Sequence, residues 1–377
     1  MTQAQGLEIR TGCRLHFGLM ELCRQQPRCY SGLGMMLQSP SLRLRLEKNS
    51  AAGKSDELPK SLEHRQRLQQ VIERRQRLGE RGPMPARIVL KEILSLHHGL
   101  GAGTQLACAA AAGLALFTQW QLTNAGPCDW QPCAEYLFAD LNDVDDGDQQ
   151  YLLAKFSGRG TRSAIGLRGF LSGGLVLDHG MDARDNRLGH DPGRRANDAG
   201  AMQRLFHTDN HPVPDRWRVV LIVPQQSAPI SGTVEAGLLE SLAEHPNVRC
   251  HEMLDVAHQI WSLLPNCPAL EDFGGLMDEY LRLAGLLFSP LQGGPFISAS
   301  VQDAVLQARA TGLQAVGQSS WGPTVFGFAE SHESALWAMQ TLQRKYSERE
   351  CEIVLSRPDN QGARFRLDGC SQNQPGL

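Results

Sequence analysis

The sequence predicts an α+β fold with two domains, because strand-like and helix-like segments are mixed along its 377 residues without the regular alternation of a doubly wound sheet. A chain of this length can bury two hydrophobic cores. The clearest strand pattern, Trp217–Pro224, follows a polar stretch of weak periodicity, Met181–Pro214. We interpret that stretch as a linker or a long surface excursion. We therefore place an N-terminal domain at residues 1–195 and a C-terminal domain at residues 215–377.

The first third of the chain predicts strands followed by two helices. Glu8–Leu15 and Leu42–Leu46 alternate apolar and polar residues, as half-buried strands do, and the apolar run Ile88–Leu94 predicts a further strand. Ser61–Leu78 has apolar residues at helical spacing and an excess of arginine, which we interpret as a solvated helix face. The alanine-rich segment Leu106–Phe117 predicts a second helix.

The remaining elements follow the same rules of periodicity. Asp140–Asp148 contains five aspartates; without the closing glutamate of an EF-hand it predicts a solvated loop before a helix, and a divalent metal site is the alternative. The predicted helices are Gln149–Phe156, Gly232–Leu242, several turns within Met253–Leu287, Val301–Ala310 and Ser331–Tyr346. The predicted strands are Leu175–Leu177, Trp217–Pro224, Thr324–Phe328 and Glu352–Ser356.

The composition excludes several functional classes. Hydrophobic residues make up 41% and charged residues 20%, and the formal net charge of −3 gives no basic footprint for nucleic acid. The first residues lack the pattern of a signal peptide, and no apolar run approaches the roughly 18 residues of a membrane span. We expect a cytoplasmic protein that binds neither nucleic acid nor membrane. Ten cysteines without a C-x-x-C pair indicate buried free thiols, with a metal site as the alternative.

A glycine-rich segment, His97–Gln105, lies between a predicted strand and a predicted helix. Glycines at alternate positions let the backbone approach a ligand closely, and the N-terminus of the helix offers unpaired N–H groups to an anion. The segment lacks the lysine of a Walker A loop and the spacing of a Rossmann fingerprint. It therefore indicates a phosphate site in which Thr104 reaches the phosphate; the alternative is a structural turn in which Thr104 caps the helix.

Four segments together carry a resemblance to a known family. Gly99–Ala107 resembles the phosphate loop of the GHMP kinase superfamily, and Gly317–Pro323 resembles its C-terminal glycine motif. With Arg14–Leu19 and Gly158–Gly166, and with the strand Trp217–Leu221, they resemble the beta-ribofuranosylaminobenzene 5'-phosphate synthases. The blocks run from about residue 10 to residue 328, in the family's order.

The resemblance implies a two-domain GHMP-kinase-like fold and a decarboxylating glycosyl transfer. The family joins phosphoribosyl pyrophosphate to 4-aminobenzoate, an early step of tetrahydromethanopterin biosynthesis, and 4-hydroxybenzoate is an equally suitable acceptor for an arginine clamp. It also implies Mg²⁺ and a homodimer. The catalytic residues we expect are Arg14, His16 and Arg162. The residues expected to bind phosphate or substrate are Gly99, Leu100, Gly101, Ala102, Gly103, Thr104, Gln105, Arg159, Gly160, Thr161, Ser163, Gly317, Gln318, Ser319 and Ser320.

Structural roles are the alternative for several of these residues. Arg14 can be exposed or paired with a carboxylate, His16 can be a core histidine, and Ser319 and Ser320 can hold a turn. An ATP-dependent small-molecule kinase is the second candidate function, but the block Gly158–Gly166 contains arginines and no aspartate that could serve a hydroxyl as base. A non-catalytic sensor of phosphorylated ligands is the third.

Overall fold

The computed structural model describes residues 6–21, 28–48, 61–80, 82–123, 128–139, 145–182, 206–225, 237, 241 and 248–368. Its strands are β1 (Gly6–Glu21), β2 (Arg28–Cys29), β3 (Ser31–Glu47), β4 (Arg87–Glu92), β5 (Cys128–Pro132), β6 (Leu175–Asp178), β7 (Met181–Asp182), β8 (Thr208–His211), β9 (Arg218–Pro224), β10 (Gln314–Gln318), β11 (Val325–Ala329), β12 (Cys351–Ser356) and β13 (Arg364–Leu367). Its helices are α1 (Leu62–Arg77), α2 (Ala102–Thr123), α3 (Cys133–Leu137), α4 (Asp146–Ser157), α5 (Ile165–Ser172), α6 (Cys250–Leu263), α7 (Leu270–Gln292), α8 (Ala299–Ala310) and α9 (His332–Lys345).

A seven-stranded antiparallel sheet forms the larger layer. Its strand order is β5-β13-β1-β3-β6-β8, with β4 paired to β3. The long strands β1 and β3 are its centre, because their alternating apolar residues, including Leu44 and Leu46, are fully buried. Helix α2 packs against both of these strands and against α1, α4 and α5. The sheet thus presents the N-terminal end of α2 beside the middle of β1.

A second sheet of four strands, in the order β10-β11-β9-β12, carries helices α8 and α9. Helix α7 contacts both β10 of this sheet and β1 of the large sheet. Phe17 of β1 packs against Phe326 of β11, with ring centroids 5.2 Å apart and the rings tilted by 54°. The two sheets therefore meet at β1, which carries two of the predicted catalytic residues.

The predicted α+β class is confirmed, and the predicted strands and helices that lie within the described residues are present. The alanine-rich helix begins at Ala102, inside the glycine segment, rather than at Leu106. Thr104 therefore lies within the first turn, and its interpretation as the helix cap is wrong. The predicted helix Gly232–Leu242 lies outside the described residues except for Gly237 and Ser241, as does most of the polar stretch Met181–Pro214.

The division into residues 1–195 and 215–377 stays a prediction, and the large sheet draws strands from both parts. Strand β13, near the end of the chain, pairs antiparallel with β1, placing Leu367 opposite Leu7. Strand β8 pairs with β6 across the polar stretch. The sequence contained no signal for either pairing, because both strands have only four residues and their partners are distant in the chain.

Helix α2 is long and apolar enough to span a membrane by those two criteria alone. In the structure, 67% of its most apolar 18-residue window is buried inside the protein. Leu106 and all of its alanines except Ala115 are covered by the sheet and the neighbouring helices. A helix that is apolar on nearly every side is typical of a protein core, and this burial accounts for the composition of α2.

Candidate active site

A cavity of about 400 Å³ opens where the two glycine motifs meet β1. This volume is within the range of small-molecule sites. The predicted catalytic residues Arg14, His16 and Arg162 all line it. Other predicted residues on its wall are Gly99, Gly101, Ala102, Gly103, Thr104, Arg159, Gly160, Thr161, Ser163 and Ser320. Four sequence blocks that lie far apart in the chain thus form one site.

The cavity wall is strongly basic. Four arginines line it, Arg14, Arg67, Arg159 and Arg162, and no carboxylate lines it among the residues that the structure describes. A methyl group built on Gly103 would lie 2.7 Å from Nη2 of Arg159 and 2.9 Å from Nη1 of Arg67. Two guanidinium groups therefore converge on the N-terminal turn of α2, where helical N–H groups lack intrahelical partners. The combination is an anion site.

Arg14 occupies a second basic position, between two helix N-termini. Its Cβ and Nε lie 3.0 and 3.1 Å from the position of a methyl group built on Gly101, just before α2. Its Nη1 lies 3.4 Å from a methyl group built on Gly166, in the first turn of α5. The backbone N–H of Arg14 donates to the carbonyl of Leu100 at 2.9 Å. The glycine loop thus bonds the backbone of β1 at Arg14 and lies against the Arg14 side chain.

The late glycine turn holds β1 from the other side. Ser319 Oγ donates to the carbonyl of Gly99 at 2.8 Å and accepts the N–H of His16 at 3.1 Å. The N–H of Ser320 donates to the carbonyl of His16 at 2.8 Å. These bonds join the two glycine motifs to each other and to His16. Ser319 is fully buried, and in the structure it holds the late glycine turn against β1 and Gly99.

His16 is buried, and burial, with the nearby Arg14 charge, holds its pKa well below the ordinary value of 6.5. The N–H of Gly18 donates to Nδ1 of His16 at 3.2 Å. Since Nδ1 accepts this bond, the proton of the neutral ring lies on Nε2. His16 is therefore a neutral hydrogen-bond donor on the wall of the cavity.

Five predicted binding residues lie behind the wall rather than on it: Leu100, Gln105, Gly317, Gln318 and Ser319. Gln105 is fully buried, accepts from Thr11 Oγ1 at 2.8 Å and donates to the carbonyl of Gly166 at 3.2 Å. Gln318 accepts the N–H of Ile297 and donates to the carbonyl of Ser320, both at 2.9 Å. Their ligand contacts stay a prediction; in the structure they connect elements of the site.

Arg67, His97 and Glu63 were not predicted as site residues. Arg67 and His97 line the cavity, and Glu63 Oε1 binds His97 Nε2 at 2.7 Å and Arg67 Nη2 at 2.9 Å. Although partial burial acts in the opposite direction, the hydrogen bonds from Arg67 and His97 lower the pKa of Glu63. The interpretation of the α1 arginines as a solvated face is wrong for Arg67, and for Arg75, which is buried and donates to Thr118.

Asp178 is a buried carboxylate directly behind the third block. It accepts from the N–H of Ala164 at 2.7 Å, the N–H of Gly180 at 3.0 Å and Ser163 Oγ at 3.3 Å. Burial is the dominant effect and raises the pKa of Asp178 to about 6. Its oxygens are occupied by the backbone, so it supports the Ser163 segment and does not face the cavity.

Asp178→Asn is expected to change the pH dependence of stability. Between pH 4 and 6 the folded protein binds a proton at Asp178 that the unfolded chain releases, so wild-type stability falls as the pH rises. A rise in pKa from 3.8 to about 6 means that, as the pH rises, the free energy of unfolding of wild type falls by about 3 kcal/mol relative to that of Asp178→Asn. Urea unfolding at several pH values measures it. Asp255 is exposed, so Asp255→Asn is the control, and its free energy of unfolding should change with pH as that of wild type does. The same pH dependence in Asp178→Asn would contradict the raised pKa of Asp178.

The described residues do not supply a protein metal site. No group of three or more His, Cys, Asp and Glu side chains within the described ranges is arranged to hold a metal ion. His98, one of two histidines before the glycine loop, directs its ring nitrogens to the carbonyls of Leu96 and Pro224, at 2.8 and 3.1 Å. Mg²⁺ prefers carboxylate and phosphate oxygens, and the polar side chains on the described cavity wall are hydroxyl groups, histidines and arginines.

Comparison with known proteins supports the resemblance. No protein-family model matches the chain. The chain is 24% identical over 370 residues to beta-ribofuranosylphenol 5'-phosphate synthase of Archaeoglobus fulgidus, covering 96% of this chain and 100% of the relative. It is 25% identical over 342 residues to the enzyme of the same name from Methanothermobacter thermautotrophicus, covering 86% and 89%.

The fold is that of a small-molecule kinase family. The structure of phosphomevalonate kinase from Streptococcus pneumoniae superimposes with a TM-score of 0.60 at 11% identity, covering 94% of this chain and 100% of the kinase. At that identity the likeness establishes the fold alone. The chain is therefore a homologue of the beta-ribofuranosylphenol 5'-phosphate synthases, built on the α+β fold of the GHMP kinases.

Proposed function

We propose that the protein is a glycosyltransferase that joins phosphoribosyl pyrophosphate to 4-aminobenzoate or 4-hydroxybenzoate, with loss of carbon dioxide and pyrophosphate. The observation that carries the proposal is a cavity with four arginines and, among the described residues, no carboxylate on its wall. Such a site suits a donor with a phosphate and a pyrophosphate, and an acceptor with a carboxylate. The homologous enzymes are named for a ribofuranosyl 5'-phosphate product.

In this reaction two bonds break, from the ring to the carboxylate and from C1 of the ribose to pyrophosphate, and one bond forms, from the ring to C1. The ring carbon that bears the carboxylate lies para to the amino or hydroxyl group, which makes this carbon nucleophilic. It bonds to C1 of the ribose while the bond from C1 to the pyrophosphate oxygen breaks. The electron pair of the ring–carboxylate bond then returns to the ring as carbon dioxide leaves. No base is needed to remove a ring proton, so a cavity whose described residues include no carboxylate is compatible with this chemistry.

The chain's own residues bind and orient the two substrates. Arg67 and Arg159 at Gly103, with Arg162, would hold the phosphate groups and stabilise charge on the departing pyrophosphate. Arg14 would clamp the acceptor carboxylate. His16, neutral and with its proton on Nε2, would donate a hydrogen bond at the same place and orient the acceptor.

Mg²⁺ enters this proposal only as an ion carried by the pyrophosphate oxygens. The described wall does not offer the carboxylates that a protein magnesium site uses. We therefore assign it no protein ligands and derive no step through it. The cytoplasmic location, the homodimer and the place in tetrahydromethanopterin biosynthesis likewise stay expectations from the sequence.

The test is release of labelled carbon dioxide. The purified protein would be incubated with phosphoribosyl pyrophosphate, Mg²⁺ and carboxyl-labelled 4-aminobenzoate or, in parallel, 4-hydroxybenzoate. Release that requires both substrates is the expected result, and the faster acceptor identifies the product. Failure of both acceptors would overturn the proposal. Consumption of ATP with a sugar or isoprenoid alcohol would then support the kinase alternative.

A further inference from the structure

The cavity has two chemically different ends, and β1 runs from one to the other. Arg14, His16 and Gly18 are alternate residues of β1, and all three line the cavity. Two residues of a strand span about 6.6 Å, so the three positions cover about 13 Å. Arg14 lies at Gly101 of the phosphate loop, whereas a methyl group on Gly18 would lie 2.6 Å from Cβ of Ala284 in α7. Successive cavity-facing residues of β1 therefore lie at successive positions along the cavity, from the phosphate loop to α7.

The end at α7 is apolar and aromatic. Leu19 follows Gly18 on β1, Phe288 comes from α7, and Trp321 comes from the late glycine turn; all three line the cavity. The rings of Phe288 and Trp321 meet edge to face, with centroids 4.8 Å apart and an angle of 66°. Trp321 is 8% exposed, so little of its ring is open to solvent. It directly follows Ser320, which is bonded to the carbonyl of His16.

We propose that Phe288 and Trp321 form the subsite for the aromatic ring of the acceptor. This inference rests on the proposed function and adds the place and orientation of one substrate. Aromatic rings attract one another edge to face or offset, and a planar acceptor gains both apolar burial and this contact. Arg67, Arg159 and Arg162 hold the anionic donor, and Arg14 holds the carboxylate of the acceptor.

The arrangement also fixes which way the acceptor points. Its carboxylate-bearing carbon must face C1 of the ribose, which lies between the phosphate groups. That carbon therefore lies beside Arg14 and His16, and the para amino or hydroxyl group points towards α7. His16, midway along the cavity-facing part of β1, lies between ring and donor. The two aromatic side chains consequently act on the affinity for the acceptor and not on the affinity for the donor.

The kinetic test compares Trp321→Leu and Phe288→Leu with wild type in the carbon dioxide assay. We expect each substitution to raise the KM for the aromatic acid at least tenfold and to leave the KM for phosphoribosyl pyrophosphate within about twofold. Trp321→Phe retains an aromatic ring and should recover most of the affinity. Trp337→Leu is the matched control, because Trp337 is 57% exposed on α9 and does not line the cavity.

Binding measured without turnover separates this inference from the proposed function. Calorimetric titration of 4-hydroxybenzoate into protein holding pyrophosphate should show binding to wild type and Trp337→Leu, and at least tenfold weaker binding to the two leucine variants. Phe288 is only partly buried, so Phe288→Leu serves if Trp321→Leu fails to fold. Wild-type affinity and KM in both leucine variants, with turnover intact, would overturn the subsite alone. Absence of aromatic-acid binding and of carbon dioxide release in wild type would overturn both proposals.

Discussion

Arg14→Ala is expected to lower kcat/KM for carbon dioxide release at least 100-fold, a loss of about 2.7 kcal/mol of transition-state stabilisation. Arg14 lies over Gly101 and reaches Gly166, so its guanidinium is held between the first turns of α2 and α5. Alanine removes the charge and the fork of donors at that point. Arg14→Lys keeps the charge but loses the two-pronged geometry and should recover only part of the activity.

The control for Arg14→Ala is Arg10→Ala on the same strand. Arg10 precedes the register shift between Thr11 and Cys13 on β1, is exposed and does not line the cavity. It should retain activity within about twofold. If Arg14 binds the acceptor carboxylate, Arg14→Ala should raise the KM for the aromatic acid more than the KM for phosphoribosyl pyrophosphate. Wild-type kcat/KM in folded Arg14→Ala would show that this arginine is not part of the anion site.

The local sequence predicted the glycine-motif part of the site well, because each motif combines a positive-φ backbone or a helix start with polar residues at fixed spacing. Gly99 and Gly101 do adopt positive φ, and Arg14, His16 and Arg162 meet at one cavity. That the blocks between about residue 14 and residue 322 meet at one site could be predicted only from their resemblance to a family. Periodicity alone gives no distance between segments so far apart.

Residues contributed by regular helices could not be predicted in the same way. Arg67 is one of several arginines on α1, and only the packing of α1 against α2 brings it to Gly103. Phe288 has the helical spacing of an ordinary core residue in α7. Strand β13 is short, and its pairing with β1 joins segments from opposite ends of the chain. In each case the information lies in tertiary contacts that a helix or strand pattern does not encode.

Gly99→Ala and Gly103→Ala are expected to impair the protein in different ways, although the two glycines are four positions apart in one motif: the first lowers stability and the second weakens anion binding. At Gly99, φ is +78°, and a methyl group would lie 2.3 Å from the backbone carbonyl oxygen of Ser319. Alanine is strained at this φ, and a clash with a backbone atom cannot be relieved by a change of side-chain rotamer. We expect the free energy of unfolding to fall by about 2 kcal/mol or more, because Gly99 and Ser319 must move apart to make room for the methyl group.

At Gly103 the backbone is helical, and a methyl group would meet only the flexible ends of Arg159 and Arg67. Alanine is also favoured over glycine in a helix by about 1 kcal/mol, so Gly103→Ala should be as stable as wild type or more so. It would displace both guanidinium groups from the N-terminus of α2, and we expect pyrophosphate binding to weaken at least tenfold. Urea unfolding and calorimetry with pyrophosphate measure the two effects. If Gly103→Ala binds pyrophosphate as wild type does, the anion site does not lie at the start of α2.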